Sequence, residues 1–375
     1  MKFLYSFSHE RHYVYDPSTN KEFVYKTLPN NDDVYITYNT KFCKQVLPTF
    51  KSKLLDIRFL SKKFDIEVDD NMSLIDHYQK LYPNLKNVIK LIPKIKLLEY
   101  GRNVYESIKD YIPNELILSK EFLFYNNDVL DTIVELEKNP LRVDLTKFPT
   151  NHIKALDINK LYCNYNVYTT YSRPSNTRNG FNIGAISKKD DTRESIIPNN
   201  DLFVEFDYNS YQMHLLATII GYDMGENDLY EELGNLFNLT DRNEAKLRTI
   251  QIVFGANKIN PYPNNIFLAK VFDFKNNLSN FTSPISGKEI ELLHDGKDLS
   301  RILQVIETEK NILSIKKIQN ICKCKKSFLT LYCYDSFLID YHNEDGEELL
   351  NEIQSILEQE TKVSKKVGKN YKSLN

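Results

Sequence analysis

The chain contains no tryptophan, few cysteines, no excess of either charge and no long apolar run. The five cysteines are scattered. Cys322 and Cys324 stand one residue apart, but no second Cys/His cluster completes a zinc site. This usage fits a reducing, intracellular compartment. No apolar stretch reaches about 18 residues and no signal-peptide pattern opens the chain, which argues against a membrane span. With 49 basic and 51 acidic residues the net charge is −2, so no global basic field marks a nucleic-acid binder. There is neither an internal repeat nor a long low-complexity linker. The missing tryptophan goes with abundant Lys, Asn, Ile and Tyr, the signature of an AT-rich genome.

The 375 residues that are present suffice for two or three domains and a sizeable core. Basic residues gather at KNVIKLIPKIK (86–96), KKIQNICKCKK (316–326) and KVSKKVGKNYK (362–372). Such clumps can hold phosphates in a neutral protein, although a single clump also serves as a solvated face. Short β-type segments separated by turns are expected over residues 1–60 (FLYSFS, EFVYKTL, DVYITYN) and helices over 73–118, interrupted at Pro93. DVLDTIVELEKN (128–139) has helical spacing, and YCNYNVYTTYS (162–172) reads as strand. The strand FVEF, the helices after Asp207, over 241–254 and over about 301–324, a hairpin from FLTLYCYD to SFLIDYHN, and the helix GEELLNEIQSILEQE follow.

Asp207 ends the apolar strand FVEF, and Asp335 lies within the hairpin. A buried carboxylate is costly unless paired. Two on adjacent strands can share Mg²⁺ ions that activate a hydroxyl and stabilise a leaving pyrophosphate, whereas a lone strand-end aspartate usually caps a turn. Between them, Arg242, Lys246, Ile250 and Phe254 recur every fourth residue and form one helical stripe. Two cations and two apolar groups on one face can grip a triphosphate and cover a base. The same pattern also describes an amphipathic helix with a basic rim.

The order and spacing of these segments resemble family A DNA polymerases, the group of bacterial polymerase I. Asp207-Tyr208-Asn209-Ser210-Tyr211-Gln212-Met213-His214-Leu215-Leu216-Ala217 is similar to that family's motif A, DYSQIELRVLA. Arg242, Lys246, Ile250 and Phe254-Gly255 resemble motif B (R-x3-K-x3-F-x3-YG), and Tyr334-Asp335-Ser336 stands where motif C has HDE. IVELEKNPLRVD (133–144), TYSRPSN (170–176), GFNIGAI (180–186), the approach RESIIPNNDLFVEFD and the tail VSKKVGKNYKSL (363–374) resemble flanking segments of the family in the right order.

The resemblance implies an α+β fold, a right-hand polymerase palm and fingers with the fingers over about 225–300. It implies two Mg²⁺ ions held by Asp207, Asp335 and the main-chain carbonyl of Tyr208. It makes Lys246 a proton donor to pyrophosphate and Arg242 a clamp on the β- and γ-phosphates. Ile250 and Phe254 would line the base-pair pocket, with Gln212 beside the sugar. Arg173, Asn182 and Gln304, 31 residues before Asp335, would touch DNA, the first and last through the minor groove. Primer-template DNA and deoxynucleoside triphosphates are the implied partners, with room for a processivity partner.

The chain also departs from the family. Gln212 replaces a Glu and Phe254 a Tyr, so the hydrogen bond between those two side chains is lost and sugar discrimination is expected to be altered. His214 replaces an Arg. Ser336 replaces a Glu, and Asp-Ser also occurs here in single-subunit RNA polymerases. Only 28 residues separate Asp144 from Arg173, the interval that holds the thumb in the family, so a reduced thumb is expected, with 73–127 as a helical substitute. Residues 1–72 resemble a shrunken proofreading exonuclease of α/β type. YNTKFCKQVL (38–47) is similar to HNxKFDxxxL, with Cys43 replacing a metal ligand; Ser8-His9-Glu10 stands near the expected Asp-x-Glu, and LLDIRFLSKKF (54–64) resembles the DT segment. An unrelated small β-rich domain is the competing reading. The expected domains are therefore 1–72, 73–127 and 128–375. The expected activity is DNA-directed DNA synthesis without proofreading, in a phage or other mobile element. An RNA- or primer-synthesising enzyme and a catalytically retired replication scaffold are the alternatives.

Overall fold

In this computed structural model, the structure describes residues 2–8, 11–37, 40–56, 59, 119–169, 172–177, 181–225, 228–255 and 259–374. The helices expected over 73–118, and with them the thumb substitute, lie outside the described residues, as do His9 and Glu10. The chain divides into two compact units, residues 1–135 and 136–375.

The first unit is built on a five-stranded mixed sheet in the order β3-β2-β1-β4-β5. It comprises β1 (Lys2–Ser8), β2 (Arg11–Asp16), β3 (Lys21–Tyr25), β4 (Val34–Thr37) and β5 (Lys53–Asp56), with helix α1 (Thr40–Val46) before β5. β1, β2 and β3 are antiparallel neighbours, whereas β4 runs parallel to β1 and β5 parallel to β4. Leu4, Val14, Leu28, Tyr35, Cys43 and Leu54 form its core. The carboxylate of Asp56, at the end of β5 and almost fully buried, accepts the main-chain N–H of Thr40 at 2.8 Å. It thereby supplies the missing partner at the first turn of α1. Helices α2 (Lys120–Phe124) and α3 (Leu130–Leu136) follow, the latter crossing into the second unit.

The second unit is organised by a four-stranded antiparallel sheet in the order β12-β13-β11-β14: β11 (Leu202–Tyr208), β12 (Phe328–Cys333), β13 (Ser336–Tyr341) and β14 (Val363–Gly368). As an inner strand, β11 is covered on both faces, and Phe203, Val204 and Phe206 are at most 1% exposed. Each of these side chains stabilises the core by about 1.5–3 kcal/mol. Short strands β6 (Leu141–Val143), β7 (Lys160–Leu161), β8 (Tyr165–Asn166), β9 (Ser175–Asn176) and β10 (Ile196–Ile197, after the short helix α4, Thr192–Ser195) precede it. Helix α5 (Tyr211–Ile219) leaves the tip of β11. Next come α6 (Leu229–Phe237), α7 (Arg242–Phe254) and α8 (Ile266–Asn277), each opened by a capping side chain: Asp228, Asp241 and Asn265. The 25-residue α9 (Asp298–Cys322) packs on α5, β12 and α10 (Gly346–Leu357).

Two local expectations change. Of the described residues of the expected strand 162–172, only Tyr165–Asn166 forms a strand pair, because asparagine side chains take the backbone donors: Asn176 Oδ1 accepts from Asn164 N and Asn166 Oδ1 from Tyr168 N. Asp335 occupies a two-residue turn, since Cys333 pairs directly with Ser336.

Candidate active site

The alternation of β11 puts Glu205 and Asp207 on one face of the sheet. Asp207 pairs in register with Ser336, and the main-chain N–H of Tyr208 donates to the carbonyl of Asp335 at 3.0 Å. The two aspartates are therefore neighbours at one end of the sheet. Burial first, and then the negative charges of Asp335 and Glu205, push the Asp207 carboxyl up to about 6, while Lys188 and Lys366 oppose the shift. Ser336 donates to Glu205 at 3.0 Å.

The turn carrying Asp335 is held from outside. Tyr334 takes φ of 62°, a conformation that side chains rarely adopt and hairpin turns usually give to Gly or Asn. Its carbonyl accepts from the buried Asn311 of α9 at 2.7 Å, and Asn311 also donates to Tyr332 Oη at 3.1 Å. The guanidinium carbon of Arg173 lies 3.9 Å from the centre of the Tyr334 ring, which fixes the far side of the turn.

This fold elsewhere satisfies its buried carboxylates. Asp340 accepts from the main-chain N–H groups of Asn199 and Asn200 and from the Asn199 amide, and Glu309 accepts from Ser283 and Ser286. Among the described residues, Asp207 and Asp335 receive no hydrogen bond from any side chain. Two neighbouring carboxylates without side-chain donors, Asp207 half-buried and Asp335 exposed, fit a divalent cation, and Mg²⁺ typically takes one or two carboxylates and completes its shell with water and phosphate oxygens. No group of three or more His, Cys, Asp or Glu side chains among the described residues could hold a metal, so any further ligands must be of that other kind or main-chain carbonyls.

A second cluster lies on α9. Glu307, 1% exposed, accepts from Arg173 at 3.0 Å and from the Gln212 amide of α5 at 2.9 Å. Burial raises its pKa, opposed by the charge of Arg173 and the amide of Gln212. The sequence reading missed Glu307. Its only signal there was a glutamate directly after the apolar Val305 and Ile306 of a long helix, one turn after Gln304. Gln304 itself donates to Ser300 on its own helix and joins neither cluster.

The third cluster is on the helical stripe. Ala245, Thr249, Ile252 and Val253 bury one face of α7, which leaves Arg242 and Lys246 exposed and Ile250 and Phe254 half-buried along another. Arg242 pairs with Asp228 at 2.7 Å, and both cations stand over the ring of Tyr230, at 5.4 and 5.8 Å. Lys246 has no acidic partner among the described residues. Tyr208 is buried, stacked on Tyr211 at 4.1 Å, which leaves its main chain as the part available at the site. Asn182 precedes a 3-10 turn in which Gly184 lies so close to Cys333 that a Cβ would stand 2.8 Å from its sulfur, placing this segment against the end of β12.

The chain superposes over its whole length on the polymerase domain of Pol1 from M. smegmatis, solved in complex with a DNA primer-template and dNTP. The TM-score is 0.67, with 10% identity and 95% of that chain covered. The chain has a polymerase-domain fold. No protein-family model and no curated protein matches the sequence.

Proposed function

We propose that this chain is a template-directed DNA polymerase that adds deoxynucleotides to a primer 3′ end. The observation that carries the reading is the pair Asp207 and Asp335, neighbours at one end of the four-stranded sheet, the first half-buried and the second exposed, neither of which receives a side-chain hydrogen bond among the described residues. These two, with the Tyr208 carbonyl, would hold two Mg²⁺ ions, which supply charge neutralisation, a more acidic primer hydroxyl and stabilisation of the departing pyrophosphate. Arg242 and Lys246 bind the triphosphate as its charge grows, and Lys246, which has no acidic partner among the described residues to neutralise it, is the group placed to protonate pyrophosphate. Asp228 and Tyr230 keep Arg242 extended for this task. Ile250 and Phe254 close over the base, Gln212 faces the sugar, and Arg173, Asn182 and Gln304 contact the DNA.

The RNA-synthesising alternative retains one supporting observation: Gln212 is bound to Glu307 rather than to Phe254, so the usual sugar gate is built differently. Extension of a primer on a DNA template, with the four deoxynucleotides in one reaction and the four ribonucleotides in another, separates the two. Preferential extension with deoxynucleotides supports the proposal. Ribonucleotide preference supports the alternative, and no extension with either overturns both.

For residues 1–72, within the first unit, we propose an exonuclease-like domain that has lost hydrolysis. In support, Cys43 is buried in the core at the position where a metal-binding aspartate would be required, and a two-metal nuclease cannot work without its carboxylates.

A further inference from the structure

We propose that Glu307 sets which atom of Gln212 faces the incoming sugar, and so sets how the pocket reads the 2′ position. This deepens the polymerase reading and rests on it. The argument turns on hydrogen-bond polarity. An ionised carboxylate can only accept, and Glu307 accepts twice, from the Arg173 guanidinium at 3.0 Å and from Gln212 Nε2 at 2.9 Å. With Nε2 committed to Glu307, the planar amide of Gln212 presents Oε1 on its other side. Phe254 has no hydroxyl to occupy that oxygen. Gln212 Oε1 has no hydrogen-bond partner among the described residues, and on the polymerase reading it is the acceptor offered to the sugar.

Glu307 is well suited to enforce this. It is 1% exposed and held by a guanidinium that is itself stacked on Tyr334, the residue before Asp335. One carboxylate thus joins α5, the Arg173 segment and the Asp335 turn. A 2′-hydroxyl can donate to the free Oε1. A 2′-fluorine cannot donate, and its negative end meets the oxygen, so fluorinated nucleotides are disfavoured relative to hydroxylated ones.

Replacing Glu307 by Gln inverts the polarity. Arg173 only donates, so it claims the single acceptor of the new amide. The NH₂ of residue 307 then faces Gln212, which must turn its Oε1 inward and its NH₂ toward the sugar. Combining Glu307→Gln with Gln212→Glu restores the original sense, because the carboxylate introduced on α5 accepts from residue 307 and presents its second oxygen to the pocket.

The experiment measures kcat/KM for 2′-fluoro and 2′-hydroxy nucleoside triphosphates in primer extension, with folding of each variant checked by thermal melting. The fluoro-to-hydroxy ratio is expected to rise about tenfold in Glu307→Gln, the scale of one hydrogen bond, and to return toward wild type in the double variant. A merely structural role would lower both rates together and leave the ratio unmoved; an unchanged ratio in an active Glu307→Gln enzyme overturns the proposal. If Glu307→Gln does not fold, Gln212→Glu alone decides. It sets two carboxylates against each other, so incorporation is expected to fall although the family's usual residue has been restored, and incorporation equal to wild type overturns the proposal. Failure of the wild-type protein to incorporate any nucleotide overturns the polymerase reading itself, and this role with it.

Discussion

At the scale of single residues, the site consists of charges that the fold leaves uncompensated. Asp207 holds its proton more tightly in the folded, metal-free protein than in the unfolded chain, because burial and Asp335 raise its pKa from 3.8 to about 6. A carboxyl raised in this way costs stability once it ionises. The loss begins as pH rises through the unfolded value near 4 and is complete above about 6. Partial exposure screens the effect, so Asp207→Asn is expected to stabilise the metal-free protein by about 1–2 kcal/mol at pH 7.5 and by almost nothing at pH 4. Melting curves in the presence of a chelator at the two pH values check this. Added Mg²⁺ should raise the melting temperature of the wild type and not of the variant. On the helical stripe, the two cations should separate kinetically. Lys246→Ala is expected to lower kcat on the order of 10²-fold or more, as for a lost general acid. Arg242→Ala should act mainly on KM for the nucleotide, and steady-state primer extension measures both.

At the scale of elements, the helices and strands that carry the candidate residues were legible because their patterns are strong. FVEF is an uninterrupted β-forming run and became the inner strand β11. Asp241 is followed by thirteen helical residues without Gly or Pro, and its carboxylate caps α7 at Asn243 and Glu244. What could not be read was contact across the chain. Glu307 meets Arg173 and Gln212 over separations of 134 and 95 residues, which no local periodicity encodes. The strand expected over 162–172 is short among the described residues for the opposite reason: its tyrosines are β-forming, but asparagine side chains cap the backbone before a longer ladder can form. The turn bearing Asp335 shows how one element supports another. Asn311→Ala removes both hydrogen bonds from α9 to Tyr334 and Tyr332. It is expected to cost about 1–3 kcal/mol in denaturant unfolding with little change in m value, and to slow extension by loosening the turn.

At the scale of the whole molecule, the account describes a polymerase fold with one active chemistry rather than two. The first unit retains a mixed sheet and a buried aspartate, Asp56, but that carboxylate is spent on the backbone of Thr40 and a core cysteine stands on α1. Labelled single-stranded DNA incubated with the protein and Mg²⁺ should therefore remain intact, and shortening from the 3′ end would show that the unit is active. On the proposed function, synthesis would depend instead on Asp207 and Asp335 acting together with the stripe of α7. The most direct test is single-turnover primer extension by Asp335→Asn beside the wild type, with Mg²⁺ and the correct deoxynucleotide. The account expects the wild type to add the nucleotide and the variant, folded by its melting curve, to be slower by at least about a thousandfold, the scale on which removal of essential charge stabilisation reads. Equal rates for the two proteins would contradict it.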